Sequence, residues 1–294
     1  MRALPERRIA KIPAPRAARS RRIEGSEKDR AFDAPTNTEA GEAALPGNNA
    51  RRPLVFHYHL FKNAGTSVDE LLRRNFGAQW ATQEFSVNRR DNAVAVAEFI
   101  ANNPHLQAIS SHTALLPVPQ IEGVEIFPII FIRHPIDRLR SAYEFERRQN
   151  ANTAGAHLAK IHDFAGYLRE LLRNPRNRQI RNFQTFRLSL NEIARKSSEI
   201  QRAIAAIERL PFVGIVERFD EAITELQFRV QPLFPNFRAR PVHRNESVCR
   251  QDCLSDRLAQ VEAMLGCTLY KTVCAANEDD MVIYELASSR LCRS

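Results

Sequence analysis

The stretch VFHYHLFKNAGTSVDELL, residues 55–72, changes character half-way along. Its first half is apolar and aromatic, and together with Pro53 and Leu54 it makes a run of strand length, 53–61. Its second half, extended to Phe76, places Val68, Leu71, Leu72 and Phe76 at i, i+3, i+4 and i+8, the apolar face of a helix. Between them lies Lys-Asn-Ala-Gly-Thr-Ser, 62–67. A strand that turns through a glycine into a helix leaves unpaired N–H groups at the helix start, and the dipole adds partial positive charge there. Gly65 lets the backbone approach an anion closely, Thr66 and Ser67 add hydroxyl donors, and Lys62 adds a mobile point charge. A capped helix start without a ligand satisfies the same pattern.

Outward from this corner, Asp91 can cap a second helix with Ala93, Val96, Ala97 and Ile100 inside. HLQAIS (105–110), IFPIIFI (126–132) and PFVGIV (211–216) read as strands, and Pro135 suits the first turn of a helix. Further helices are expected at about 162–173, 191–209, 220–231, 252–265 and 278–290. Continuously apolar strands that alternate with helices imply an α/β fold, with a central, mainly parallel sheet covered on both faces. Ligands of such sheets bind beyond the carboxyl ends of the strands, where the corner sits. FPIIFIRHPIDRLRSAYEF (127–145) makes a second such end, with Arg133 leaving a buried strand and Ser141 two turns into the next helix. Two anion grips in one sheet are the functional reading; a surface arginine and an ordinary helical serine are the alternative.

The chain carries 43 Lys and Arg against 34 Asp and Glu, a net charge of +9. Residues 1–52 hold twelve basic and seven acidic side chains, so this segment contributes +5 and the rest only +4. Without sustained periodicity, 1–52 reads as a disordered basic tail and 53–294 as the folded domain. No run of 18 apolar residues exists, so no membrane span is expected, and the N-terminus lacks the apolar core of a signal peptide. The expected setting is a soluble, cytoplasmic protein of a bacterium. All five cysteines (249, 253, 267, 274 and 292) fall in the last 46 residues at spacings that match no common zinc pattern; free thiols and one or two disulfides both fit. No metal-ligand cluster is visible, and no metal is expected.

HLFKNAGTS followed some 65 residues later by IRHPIDRLRSAYEF resembles the membrane-associated carbohydrate sulfotransferase family, whose best-known type is heparan sulfate 2-O-sulfotransferase. Its members read His-x-Pro-Lys-x-Ala-Gly-Thr-Ser and Arg-Asp-Pro-x-x-Arg-x-x-Ser at these places. Here Phe61 stands for the Pro and His134 for the Asp. NRQIRNF (177–183), FVGIVERFDEAI (212–223) and NEDDMVIYELA (277–287) are similar to family segments with less specificity, so the resemblance covers about 53–290. It implies a P-loop-like three-layer fold and a PAPS-dependent transfer of a sulfuryl group to a hydroxyl of a carbohydrate or glycoconjugate acceptor, releasing PAP. Residues Lys62, Asn63, Ala64, Gly65, Thr66 and Ser67 would then wrap the 5′-phosphosulfate of the donor, and Arg133 and Ser141 would hold its 3′-phosphate.

In-line transfer needs charge stabilisation and a base for the acceptor proton. Lys62 suits the oxygen that bridges sulfur to the departing phosphate. His112, after the strand candidate between the two motifs, is the expected base; the resemblance places a Gly-His there, with Ser111 in the glycine's place. His59 aligns with the family histidine and is expected to be structural, and Arg238, Arg240 and Arg244 either close over the donor or lie in an exposed loop. Two other functions are compatible. An ATP-dependent kinase would need a Walker lysine directly before the hydroxyl residue, whereas Lys62 precedes the turn and Leu60 stands where the first glycine belongs. A non-enzymatic nucleic-acid-binding protein would rely on the tail, whose aromatic-poor composition suits nonspecific contact and no specific nucleic acid.

Overall fold

A computed structural model describes residues 51–191, 196–240 and 253–291. The expectations for residues 1–50, Arg244, Cys249 and Cys292 lie outside the described residues. In chain order the elements are β1 (Arg52–Tyr58), α1 (Gly65–Phe76), β2 (Trp80–Thr82), α2 (Arg89–Asn102), β3 (Ala108–Ser111), β4 (Val124–Ile129), β5 (Phe131–Ile132), α3 (Pro135–Arg148), α4 (Ala154–Ile161), α5 (Phe164–Arg173), α6 (Phe183–Ser189), α7 (Glu199–Arg209), β6 (Gly214–Ile215), α8 (Phe219–Val230), α9 (Leu254–Leu265), α10 (Cys267–Ala275) and α11 (Glu278–Leu291).

Four strands form a parallel sheet in the order β2-β3-β1-β4, with Tyr58 beside Ser111 and His57 beside Ile129 in register. The chain then passes through Ile130 into β5, which pairs in parallel with β6. The Ile130 carbonyl accepts the Gly214 N–H at 2.8 Å, so the single apolar run 126–132 serves two sheets in succession. Alternation along β1 decides the layers. Val55 packs with Val68, Leu71 and Leu72 of α1 and with Leu226 of α8. Leu54, Phe56 and Tyr58 point the other way, into a cluster with Ile100 of α2, Leu188 of α6, Ile207 of α7 and Ile283 of α11. The fold is α/β with a central parallel sheet flanked by helices, as expected. Leu72 is fully buried, and truncating such a residue to alanine typically costs about 2–5 kcal/mol.

Several boundaries differ from expectation, each for a local reason. Arg52, assigned to the tail, opens β1, its guanidinium donating to the Leu106 carbonyl at 2.6 Å. Asp91 sits in the first turn of α2, accepting a bond from Asn88 Nδ2, and does not cap it. The helix expected from 162 starts one residue after Asp163, whose carboxylate caps Gly166 N at 2.7 Å, and the separate α4 precedes it. The helix expected from 191 starts at Glu199, behind a reciprocal Ser198–Gln201 capping box. The short β2, α6 and α10 carry too little periodicity to be read. No helix of the described residues is long and apolar enough to cross a membrane. Cys253, Cys267 and Cys274 are free.

Candidate active site

With β1 between β3 and β4, the loops after β1 and β3 leave the same end of that sheet, and β5 of the second sheet ends beside the first of them at Arg133. The loop after β1 is built from two left-handed non-glycine residues, Lys62 (φ 65°) and Ala64 (φ 59°), a conformation that costs on the order of 1–3 kcal/mol per residue and persists only where its surroundings impose it. Asn63 imposes it. Its buried side chain donates to the Phe131 carbonyl at 2.8 Å and to Gln184 Oε1 at 2.7 Å. Ala64 caps α1 without a side-chain bond; its carbonyl takes the Ser67 N–H at 2.9 Å, which leaves the Gly65 and Thr66 N–H groups at the loop. The Lys62 ammonium lies 4.5 Å from the centre of the Phe145 ring. Burial, with Arg133 and Arg148 nearby, pushes it down to about 8.

The structure thereby revises the roles expected inside this motif. The side chains of Asn63 and Ser67 are buried and face the fold, and their backbone N–H groups are taken by the Leu60 and Ala64 carbonyls at 3.2 and 2.9 Å; Thr66 alone of the hydroxyl pair is exposed. Gly65 is needed for a neighbour: a Cβ there would come within 1.9 Å of the His59 imidazole.

At the second strand end, Arg133 Nη1 donates to the Lys62 carbonyl at 3.3 Å, so the two motifs touch. Gln184 of α6 bridges them again, accepting from Arg133 N at 2.8 Å and donating to the Arg133 carbonyl at 2.8 Å while it holds Asn63. The Arg133 guanidinium also pairs with Asp137 at 2.6 Å, and Arg257 of α9 reaches the same carboxylate at 3.0 Å. Burial raises the Asp137 carboxyl, but the two guanidinium groups outweigh it and hold the group below the usual range. Glu217, almost fully buried beside them, is pushed up by burial and accepts the His134 N–H at 3.0 Å. Ser141, on α3, is half-buried and makes no hydrogen bond to Arg133. Arg238 does not approach the corner: its backbone N–H meets Asn75 at the far end of α1, ten residues from Gly65, or about 15 Å along a helix. Arg240 is exposed.

The loops after β1 and β3 bring histidines together. His57 on β1 and His59, one residue past its end, both face Asp69 of α1, with Nδ1 2.8 Å from one carboxylate oxygen and 3.0 Å from the other. His112 stacks on His59 with ring centres 3.9 Å apart, and its own Nδ1 lies 2.8 Å from Glu84. His57 is buried, His59 nearly so, and the His112 side chain is 55% exposed. His57, His59 and Asp69 offer one donor atom each within 4.8 Å, a grouping that the linear sequence conceals. Both Nδ1 distances are those of hydrogen bonds, each to its own oxygen.

No family model matches the chain. It is 37% identical over 241 residues to an uncharacterized protein of Archaeoglobus fulgidus, an alignment covering 80% of this chain and 95% of that protein. The chain belongs to that protein's family. An archaeal relative lends no support to the expected bacterial origin.

The residues that sequence reasoning missed are the holders. Asp69 had a detectable signal, an acid on the helix facing two histidines that share a strand face. Gln184, Glu84, Asp137 and Arg257 had none. Two weak segments do meet as a pair: Asn277 donates to the Ile180 carbonyl at 2.9 Å, Asn182 to Asp279 at 2.9 Å, and Asp280 accepts the Thr185 N–H at 2.7 Å.

Proposed function

We propose that the chain is a sulfotransferase that moves a sulfuryl group from PAPS to a hydroxyl, with a carbohydrate or glycoconjugate as the acceptor class that the motif resemblance implies. The observation that carries this reading is the contact between the two motifs. A left-handed loop at a helix N-terminus with its own lysine lies against the arginine of a second strand end, through Arg133 and the Lys62 carbonyl. This provides two cationic groups and a set of backbone donors at one end of a parallel sheet, a donor set that fits a ligand with phosphates at two places.

PAPS, when bound, supplies a sulfuryl group already attached to a phosphate leaving group. The Gly65 and Thr66 N–H groups and the hydroxyl of Thr66 bind the 5′ end, and Arg133 and Ser141 bind the 3′-phosphate. Arg133 comes with a competitor, Asp137, so its worth to a phosphate is the difference between two anionic partners. Lys62 stabilises charge on the bridging oxygen, and His112, oriented through Nδ1 by Glu84, takes the acceptor proton at Nε2. Against the kinase reading, Lys62 leaves the loop before the turn and packs on Phe145.

Calorimetry with PAP, ATP and a single-stranded oligonucleotide separates the readings. PAP is expected to bind, with ATP and the oligonucleotide far weaker. Arg133→Ala is expected to weaken PAP by about 10- to 100-fold, the loss of a charge-assisted contact. Unchanged PAP affinity in a folded Arg133→Ala protein rejects the second phosphate site.

A further inference from the structure

The less exposed histidine of the stack, His59, is better placed than a structural role requires. A carboxylate only accepts hydrogen bonds, so Asp69, 3.0 Å from His59 Nδ1, fixes the proton on that nitrogen and leaves Nε2 as the unprotonated, accepting nitrogen. The ring edge that carries Nε2 lies against Gly65, the first residue of α1, and a methyl group there would occupy its place. The glycine of the anion corner therefore admits an imidazole to that corner. This sets an orienting acid and a base in sequence beside the corner.

We infer that Asp69 and His59 form a second base of the site, with Asp69 as its positioning residue and His59 Nε2 as a proton acceptor alongside the stacked His112. Burial favours the neutral, proton-accepting form of His59, opposed by Asp69 and Glu84 and helped by His57. His59 takes the proton of the attacking hydroxyl as that oxygen bonds to sulfur. The bond from sulfur to the bridging oxygen breaks, and its electron pair leaves on the 5′-phosphate of PAP. Asp69 then faces an imidazolium and stabilises it. The inference rests on the sulfotransferase reading for its substrate and on the local geometry alone for its tautomer.

The test has two arms. Long-range nitrogen NMR of the histidine-labelled protein, with His59 assigned by loss of its signals in His59→Gln, is expected to show His59 as the Nδ1–H tautomer. Asp69→Asn is expected to lose that preference while the melting temperature shows the protein folded. The second arm follows hydrolysis of PAPS to PAP and sulfate, with water as acceptor. His112→Ala is expected to retain a residual rate that the added His59→Gln lowers at least about tenfold, with PAP affinity unchanged. Should His59→Gln fail to fold, Asp69→Asn in the His112→Ala background replaces it. An Nε2–H tautomer in the wild type overturns the dyad, and so does a doubly substituted protein as fast as His112→Ala alone. A wild type that neither binds PAP nor cleaves PAPS sinks the sulfotransferase reading, and the base with it, while the tautomer result still stands or falls by the spectrum.

Discussion

Lys62 shows how a single residue is tuned by its position. Its left-handed backbone carries the side chain over Phe145, and burial together with Arg133 and Arg148 brings the ammonium down to about 8. A lysine is charged below its pKa, so the corner has this charge at neutrality and loses it as pH rises through about 8. The value of kcat/KM reports the free protein and is expected to fall above about pH 8. Lys62→Arg, which stays charged, should abolish that falling limb, and a limb that persists unchanged in Lys62→Arg removes Lys62 as its source. His112→Ala is expected to lower transfer by about 100- to 10,000-fold at unchanged PAP affinity, less if the second base takes over. A folded His112→Ala protein with wild-type transfer removes His112 from the chemistry. The lysine, the glycine and His112 are all legible as residues in 62–67 and 105–112. The reason for the glycine is not, because His59, six residues away along the chain, is brought back onto it by the turn.

Among the elements, α6 matters most and was not foreseen. It is only seven residues long, too short for a period to show, yet Gln184 at its start holds both Asn63 of the first motif and Arg133 of the second. Asp280 of α11 in turn accepts the backbone N–H and hydroxyl of Thr185. Gln184→Ala would leave the Asn63 amide and the Arg133 backbone groups short of partners in a buried place. Each such loss costs about 1–3 kcal/mol. The expected result is a lowered melting temperature together with weaker PAP binding, because the left-handed loop loses its support. Gln184→Ala with wild-type values of both would show that Asn63 alone, through the Phe131 carbonyl, fixes the loop.

For the whole molecule, the two core clusters described above are drawn from residues 54–291. Residues 1–50 hold ten Lys and Arg and seven acids, with few apolar residues besides alanine. Their deletion is expected to leave the melting temperature and PAP affinity unchanged, since such a segment buries little surface. Binding of a polyanionic acceptor is expected to weaken, more so at low salt, where surface charges are least screened. A drop of several degrees in melting temperature would show that the segment packs on the fold.

What the sequence by itself determined is the layered α/β plan and the place of the corner. Both follow from short-range chemistry: runs of apolar residues pair as buried strands, helical spacing sets one face inward, and a glycine turn into a helix exposes backbone donors. The tertiary structure alone decided which side chains serve that corner. Parallel pairing puts residue 59 beside 112 and the carbonyl of 62 beside Arg133, and it turns Asn63 inward to Gln184, 121 residues on. Such contacts depend on strand order and helix docking, which no local period encodes. A carboxylate such as the half-buried Asp69 or the buried Asp137 therefore reads in the chain as an ordinary helical acid until the fold brings its histidines or arginines to it.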